Sequence, residues 1–500
     1  MKRILLNIFL GCCLCACSDF LQPDSPSEYV PETVDALNEL LLGGAYPTST
    51  VSTLFCFHNS LDDDIEMCDK NISYLNTQIE NMRLVYSWDP EMFELTPSTL
   101  ISPVWSAYYT CILGANAALD YLGDVKGSEG DKAYVRAQAC ALRAFYYFNL
   151  VNLFGEPYSS NKEADGVPLK LTSDLSDSFD ARKTVEEVYE QIVKDLDIAE
   201  KNFLTLPVEQ QNKGNYRLSL PAVQLLRARV CLYMKDMKGA AEYAQKVIND
   251  WNYDLYDLNS FSADSATEVF YPNYVTVDNP ETIWAYGNVT DVWPAFLKVS
   301  GFLEDGKTTA CGLNASRDLI DCFKEGDLRK KWYLVSELQG TKPVEGHYLI
   351  WSKCSITSNH TVLEGKVFGL SLRLSEAYLI LAEAVYDSNQ ELALKMINDL
   401  RRKRYTGEKY EEVNYSGEEL LSFIREERRR ELCFEGQRWF DLRRYGMPSF
   451  EHRWVEHGVI MGSYVIEEGD AAYTLPIPAM VMERNLALRQ NKLTTPKTLQ

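Results

Sequence analysis

Groups capable of chemistry are plentiful in this chain, but few of them are patterned. Five histidines, His58, His347, His360, His452 and His457, show neither HxH nor HExxH spacing, so no zinc site is spelled out. His452 and His457 stand in polar text and are expected to be solvated. Glycoside hydrolysis needs two carboxylates at a set separation with divergent pKa values. Among 72 acidic side chains no short motif marks such a pair. "LDDDIE", Leu61 to Glu66, collects oxygens that could face a calcium ion. It lacks the alternating acids and the glycine of an EF-hand loop and is read as a polar loop. There is no P-loop and no GxGxxG, and nothing calls for a cofactor or a metal.

Sugar recognition asks for less. The C–H faces of pyranose rings lie on indole and phenol rings, while amides, carboxylates and guanidinium groups reach the hydroxyls. Thirty tyrosines and nine tryptophans exceed what a plain core needs. Two clusters suit the task. "NMRLVYSWDPE" offers Arg83, Tyr86, Trp88 and Asp89. Further on come Tyr271 and Tyr274 in "FYPNYV", Trp284 and Tyr286 in "IWAYGN", Trp293 in "DVWPAF" and, more distant, Trp332. Each ring also suits a core position, and Trp284 lies in an apolar run. Trp88 and Trp293 sit in polar, proline-punctuated text and are the favoured platforms. Trp105 and Trp439 fall on helical apolar faces and are assigned to the core.

The elements that must carry these groups are mostly helical. "WSAYYTCILGANAALDYL" has apolar residues at helical spacing. "DKAYVRAQACALRAFYYFNLVNLFGEPY" starts at Asp131, a possible cap, and stops at Gly155 and Pro157. "TVEEVYEQIVKDLDIAEKNF" opens on a capping-box pattern, Thr184 with Glu187. "SLPAVQLLRARVCLYMKDMKGAAEYAQKVIND" places Ala228, Ala240 and Val247 at the crossing positions of a tetratricopeptide-like helix pair. Leu372 to Arg404 repeats the idea. Between them, residues 251–370 read differently: mixed periodicity, short β-like runs, and the tryptophans Trp251, Trp284, Trp293, Trp332 and Trp351. The expected fold is mainly α, with tetratricopeptide-like hairpins carrying a large irregular insertion at 251–370. Loops held on a rigid frame commonly bind ligands.

Composition narrows the partners. A formal net charge of -22 and a pI near 4.8 argue against a phosphate backbone as the main partner. "MKRILLNIFLGCCLCAC" has a positive start and an apolar run too short to span a bilayer. It ends on Leu14, Ala16 and Cys17, which resembles a bacterial lipobox with lipidation at Cys17; Cys12 is the weaker alternative. Residues 1–16 are then a signal peptide, 17–33 a polar tether and 34–500 a single domain whose one anchor is lipid. Four of the thirteen cysteines, Cys12, Cys13, Cys15 and Cys17, lie in the signal. Most of the rest sit in apolar helical text as small hydrophobes, and no CxxC spacing follows the signal.

One segment tests the charge argument. "IREERRRELCFEGQRWFDLRRYG", Ile424 to Gly446, carries seven arginines and five acids. On a helix Glu426 meets Arg429 and Arg430, Glu427 meets Arg430, and Glu431 lies three residues beyond Arg428. Interleaved signs cancel the field that a nucleic-acid arm would need, and a membrane helix would show a broader apolar face. A scaffold role is expected. Within it, Arg428, Glu431, Leu432, Phe434, Glu435, Gly436, Arg438, Asp441, Leu442, Arg444 and Gly446 match the signature of the SusD/RagB family, which this chain resembles. "YTLPIPAMVMERNLALRQN" resembles the family's closing segment, and "LRAFYYFNLVNLFGEPY" and "LSEAYLILAEA" its helical repeats. The lipobox and the following Ser18-Asp19 fit as well. The resemblance implies a SusD-like fold and a surface-exposed, lipid-anchored outer-membrane lipoprotein without enzyme activity. It would bind oligosaccharide and pass it to a SusC-type TonB-dependent barrel. A secreted glycoside hydrolase, or a helical-repeat scaffold binding protein or peptide, stands as the alternative.

Overall fold

A computed structural model describes residues 30–47, 55, 57–68, 76–97, 104–174, 179–214, 216–260, 274–287, 298–300, 309–339, 342–349 and 368–500. Helix α1 (Val34–Gly44) is capped by Thr33, whose hydroxyl accepts from Ala36 N. After α2 (Asn76–Tyr86) and α3 (Val104–Asp120) comes α4 (Glu129–Phe154), whose C-terminal half is buried on all sides. A helix apolar all round belongs in the interior. Its cap is Ser128 rather than the expected Asp131, which lies within the first turn and donates its N–H to the Ser128 hydroxyl. Helix α5 (Val185–Leu204) opens on the predicted capping box, Thr184 and Glu187 exchanging hydrogen bonds.

The antiparallel stack continues with α6 (Leu220–Tyr233) and α7 (Met237–Asn249), then α8 (Leu374–Val385) and α9 (Gln390–Arg402). Ala228, Ala240 and Val247 are fully buried where α6 and α7 meet, as a tetratricopeptide-like crossing requires. Close approach recurs between α1 and α3. A Cβ on Gly114 would stand 2.3 Å from the Gly44 carbonyl oxygen, so only glycine fits. The architecture is mainly α-helical, built of tetratricopeptide-like hairpins with a few short strands.

The strands fasten the irregular parts to this frame. β1 (Ile65–Met67) pairs antiparallel with β3 (Leu313–Ala315), and β2 (Thr282–Tyr286) with β6 (Leu370–Arg373). The insertion therefore leaves and re-enters along one ribbon. β4 (Val335–Gln339) and β5 (Lys342–Leu349) extend the sheet of β1 and β3. α10 (Gly417–Leu432) and α11 (Arg438–Arg444) carry the arginine-rich signature, and the hairpin of β7 (Phe450–Glu456) and β8 (Val459–Ile466) follows. Its turn residues His457 and Gly458 both have positive φ, at 50° and 79°, matching the twist of a tight hairpin.

Candidate functional site

The signature anchors a dense cluster of buried ionisable groups. Arg329, Arg373, Arg404, Arg428 and Arg430 are each at most 2% exposed. Glu431 lies at the centre. It receives Arg404 Nε at 2.9 Å and Arg329 Nη1 at 3.0 Å, and it pairs with Arg373. Arg373 also reaches Glu435 at 2.8 Å, and Arg404 reaches Glu281 at 2.5 Å. Arg329 bridges Asp327 and Glu427 at 2.7 Å each. Arg428 donates to Asp441 at 2.8 Å, and Arg444 holds Asp441 and Glu383. Burial raises a carboxylate pKa, but the surrounding guanidinium groups outweigh it: Glu427 is lowered to about 2 and Glu431 well below the usual range. Every acid in this knot has its base, so the cluster offers stability and no general acid. The expected local pairs hold only for Arg430, which meets both Glu426 and Glu427. Arg428, Arg429 and Glu431 instead reach across the chain.

Arg429 and Arg438 close on the acidic loop. Arg438 makes a bidentate pair with Asp63 at 2.6 and 2.7 Å, and Arg429 Nε meets Asp64 at 2.6 Å. Carboxylate oxygens of Asp62, Asp63 and Asp64 gather within 4.8 Å, the separation a cation would want. Two guanidinium groups already occupy that role, and the loop works as a latch. Asp62 is buried among these acids with no ion-paired arginine among the described residues, and burial pushes its carboxyl well above the usual range. Gly436 completes the latch. At φ 71° its built Cβ would lie 2.6 Å from the Phe55 carbonyl oxygen, and its carbonyl meets His58 Nε2 at 2.8 Å.

The predicted sugar contacts separate into three groups. Trp88, Tyr274, Trp284 and Trp332 are 0%, 1%, 0% and 8% exposed, so these rings are core and not platforms. Trp88 is the instructive correction. The polar text around it is a helix end. Trp88 takes a positive φ of 53° just beyond α2, and its ring folds under the turn. Its Nε1 donates to the Leu61 carbonyl at 2.9 Å, and the indole stacks on His452 with centroids 4.3 Å apart. Trp284 stacks on Tyr286 at 4.6 Å and meets Phe145 edge-on. Tyr274 packs on Tyr333, and the Arg373 guanidinium lies 5.5 Å from its centroid. Tyr271, Trp293 and Cys17 lie outside the described residues. Trp105 and Trp439 are buried, at 6% and 0%.

Arg83 alone of the group is described and exposed. It projects from α2 onto the β7–β8 hairpin, with its guanidinium 5.1 Å from the Trp454 ring centroid. Nε donates to Tyr464 Oη at 2.6 Å, and Nη1 lies 3.6 Å from Glu456. The guanidinium is thus oriented by its neighbours while its outer edge faces solvent. His452, expected to be solvated, is buried, sandwiched between Tyr86 and Trp88, its two nitrogens 2.8 Å from the Tyr86 and Asp62 carbonyls, to one of which the neutral ring donates. Burial lowers His452 and His58 to about 4 each. Cys111, Cys140 and Cys231 are free thiols in the interior, and Cys433 is buried.

Comparison with known proteins joins these observations. Residues 19–232 match a family model described as starch-binding associating with outer membrane, SusD-like, and residues 368–493 match the SusD family model. SusD-like protein P2 of Formosa agariphila is 27% identical over 433 residues, covering 78% of this chain and 80% of that protein. Among solved structures, a putative sugar binding protein from Bacteroides vulgatus superposes with a TM-score of 0.70 at 21% identity, over 94% of this chain and all of that one. A laminarin binding SusD-like protein gives 0.63 at 21%, over 92% and 99%. At that identity the likeness establishes the fold. Among the described residues, no helix is long and apolar enough to cross a membrane. The two models take in more than half of the chain between them, and Glu431, at the centre of the buried arginine knot, lies within the second. The chain belongs to the SusD/RagB family.

Proposed function

We propose that this protein binds oligosaccharide at the cell surface, without chemistry, and delivers it to a SusC-type TonB-dependent barrel in the outer membrane. The observation that carries the reading is the family match at both ends of the chain, one model being described as starch-binding and associated with the outer membrane. The laminarin binder of the same fold supports a glucan-like ligand. A lipid on Cys17 supplies the anchor. Tyr271 and Trp293 supply the flat rings against which sugar C–H faces lie, and Arg83 donates to hydroxyls from its exposed edge. A ligand that must be handed on need not be held tightly. Micromolar to millimolar affinity, about -8 to -4 kcal/mol, suffices.

The test is affinity electrophoresis and calorimetric titration of the soluble chain beginning at Ser18, with starch, laminarin and their oligosaccharides. Retention without turnover supports the reading. Release of reducing ends by the purified protein would make it a hydrolase. Retention on barrel-bearing membranes with no glycan binding would make it a protein-binding scaffold.

A further inference from the structure

Three motif segments that lie far apart in sequence meet at the C-terminal end of α4. The four last carbonyls of a helix have no partners within it. Here each is met from outside the helix or by its cap. Gly155 N returns to the Val151 carbonyl at 2.9 Å, and Leu475 N donates to that of Leu153 at 2.9 Å. Arg443 donates to the carbonyls of Asn152 and Gly155. Arg182 Nη2 and Asn491 Nδ2 both donate to that of Phe154, at 2.9 and 2.8 Å. Just outside this seal lies a cavity of about 400 Å³. The volume falls at the low end of small-molecule pockets, about 300–1,000 Å³.

The lining of the cavity specifies a chemistry. Glu156 gives one carboxylate oxygen to Asn161, and Asp165 gives one to Arg489. A second oxygen of each is available to accept. Arg182 spends four of its five N–H groups on carbonyls, those of Gly166, Arg489, Phe154 and Asp165, and lines the cavity with the remainder. Lys492 adds an ammonium that forms no ion pair among the described residues. Acids (Glu156, Asp165, Asp470) and bases (Arg182, Lys492) both line the wall, and Asp165 and Asp470 already face cations in Arg489 and Lys497. A charged ligand would meet groups of like as well as unlike sign. A neutral ligand whose groups both donate and accept would satisfy both kinds of wall. Pro157, Ala164 and Met447 supply an apolar flank. Among the described residues, no aromatic ring lines the space.

We propose that this cavity binds a neutral hexose or disaccharide, such as the end of a glucan chain, through its hydroxyls rather than by ring stacking. The proposal rests on the reading of the protein as a carbohydrate binder, but it names a separate site. The volume admits one or two sugar units, so the cavity would select chain ends or short products that a stacking platform does not distinguish.

The experiment is saturation-transfer NMR of the chain beginning at Ser18 with D-glucose and maltose, alongside affinity electrophoresis in starch and laminarin gels. Wild type is expected to bind one of the sugars in the millimolar range. Ala164→Trp fills the cavity and should abolish the signal. Glu156→Gln, at an exposed position, should weaken binding at least fivefold, and it decides the matter if Ala164→Trp melts early. Retention in polysaccharide gels should be unchanged in both variants. Absence of any wild-type signal up to tens of millimolar, or a signal indifferent to Glu156→Gln and to folded Ala164→Trp, overturns the proposal. Loss of gel retention in wild type would instead overturn the broader reading.

Discussion

Two groups of buried guanidinium side chains solve the same problem in opposite ways. In the knot around Glu431, each arginine is opposed by carboxylates, and Arg329, Arg373 and Arg404 are pushed well above the usual arginine range. At the end of α4, Arg182 and Arg443 meet only carbonyls and a hydroxyl, and burial lowers both, Arg443 to about 10. Full charges repay desolvation in the first case. In the second, the partial negative charge of a helix terminus must do so. The knot is therefore an all-or-nothing structure, while the helix end is a graded one.

Removing the central acid should show the difference most strongly. Glu431→Ala leaves Arg329, Arg373 and Arg404 short of a partner, and breaking a buried pair of this kind costs about 3–5 kcal/mol. We expect loss of cooperative unfolding or a fall of many degrees in Tm by calorimetry, with Glu431→Gln only partly restoring it. Trp88→Ala should cost about as much, about 3–5 kcal/mol, through the cavity left beside His452. A Tm near wild type would return Trp88 to the list of exposed platforms.

Arg443→Met should cost less, about 1–3 kcal/mol in all, because no opposing charge is stranded. A loss as large as that of Glu431→Ala would erase the distinction between the two groups.

Acid should separate the layers in a smaller way. His58 and His452 are depressed to about 4, so the folded state takes up their protons later than the unfolded state does. Their contribution is complete above about pH 6.5 and is lost as pH falls towards 4, by up to about 3 kcal/mol each. Glu427, lowered to about 2, loses its share only below about pH 4.5. Urea titrations from pH 7 to 4 should slope downward in wild type and about half as steeply in His452→Gln. The smallest effect on stability belongs to Arg83→Ala, within about 1 kcal/mol because its ion pair is exposed, yet this variant should weaken oligosaccharide binding in calorimetric titration.

Sequence made the periodic features legible and the distant ones not. Trp105 and Trp439 announced their burial because they fall on helical apolar faces, and the Thr184–Glu187 capping box was readable from three residues of spacing. The Arg430 pairs were readable for the same reason. Glu431 with Arg373 and Arg404, or Arg438 with Asp63, depend on tertiary meeting points that no local period encodes. Trp88 misled because a helix end and a binding loop share the same polar, proline-bearing composition. His452 misled because a two-residue alternation in β7 hides beneath charged neighbours, and only the pairing of His452 with Tyr464 reveals which face it takes.

The latch between the acidic loop and the signature has a consequence for how the chain comes to be. Asp63, Asp64, His58 and Asn59 find their partners in Arg438, Arg429, Gly436 and Phe434, all near the opposite end of the polypeptide. Contacts of such sequence separation form late and slowly. Until the C-terminal segment arrives, Asp63 and Asp64 have no guanidinium to neutralise them, and the Phe55 carbonyl has no Gly436 against it. A polypeptide cut short before α10 would carry that unsettled charge as the mark of its incompleteness.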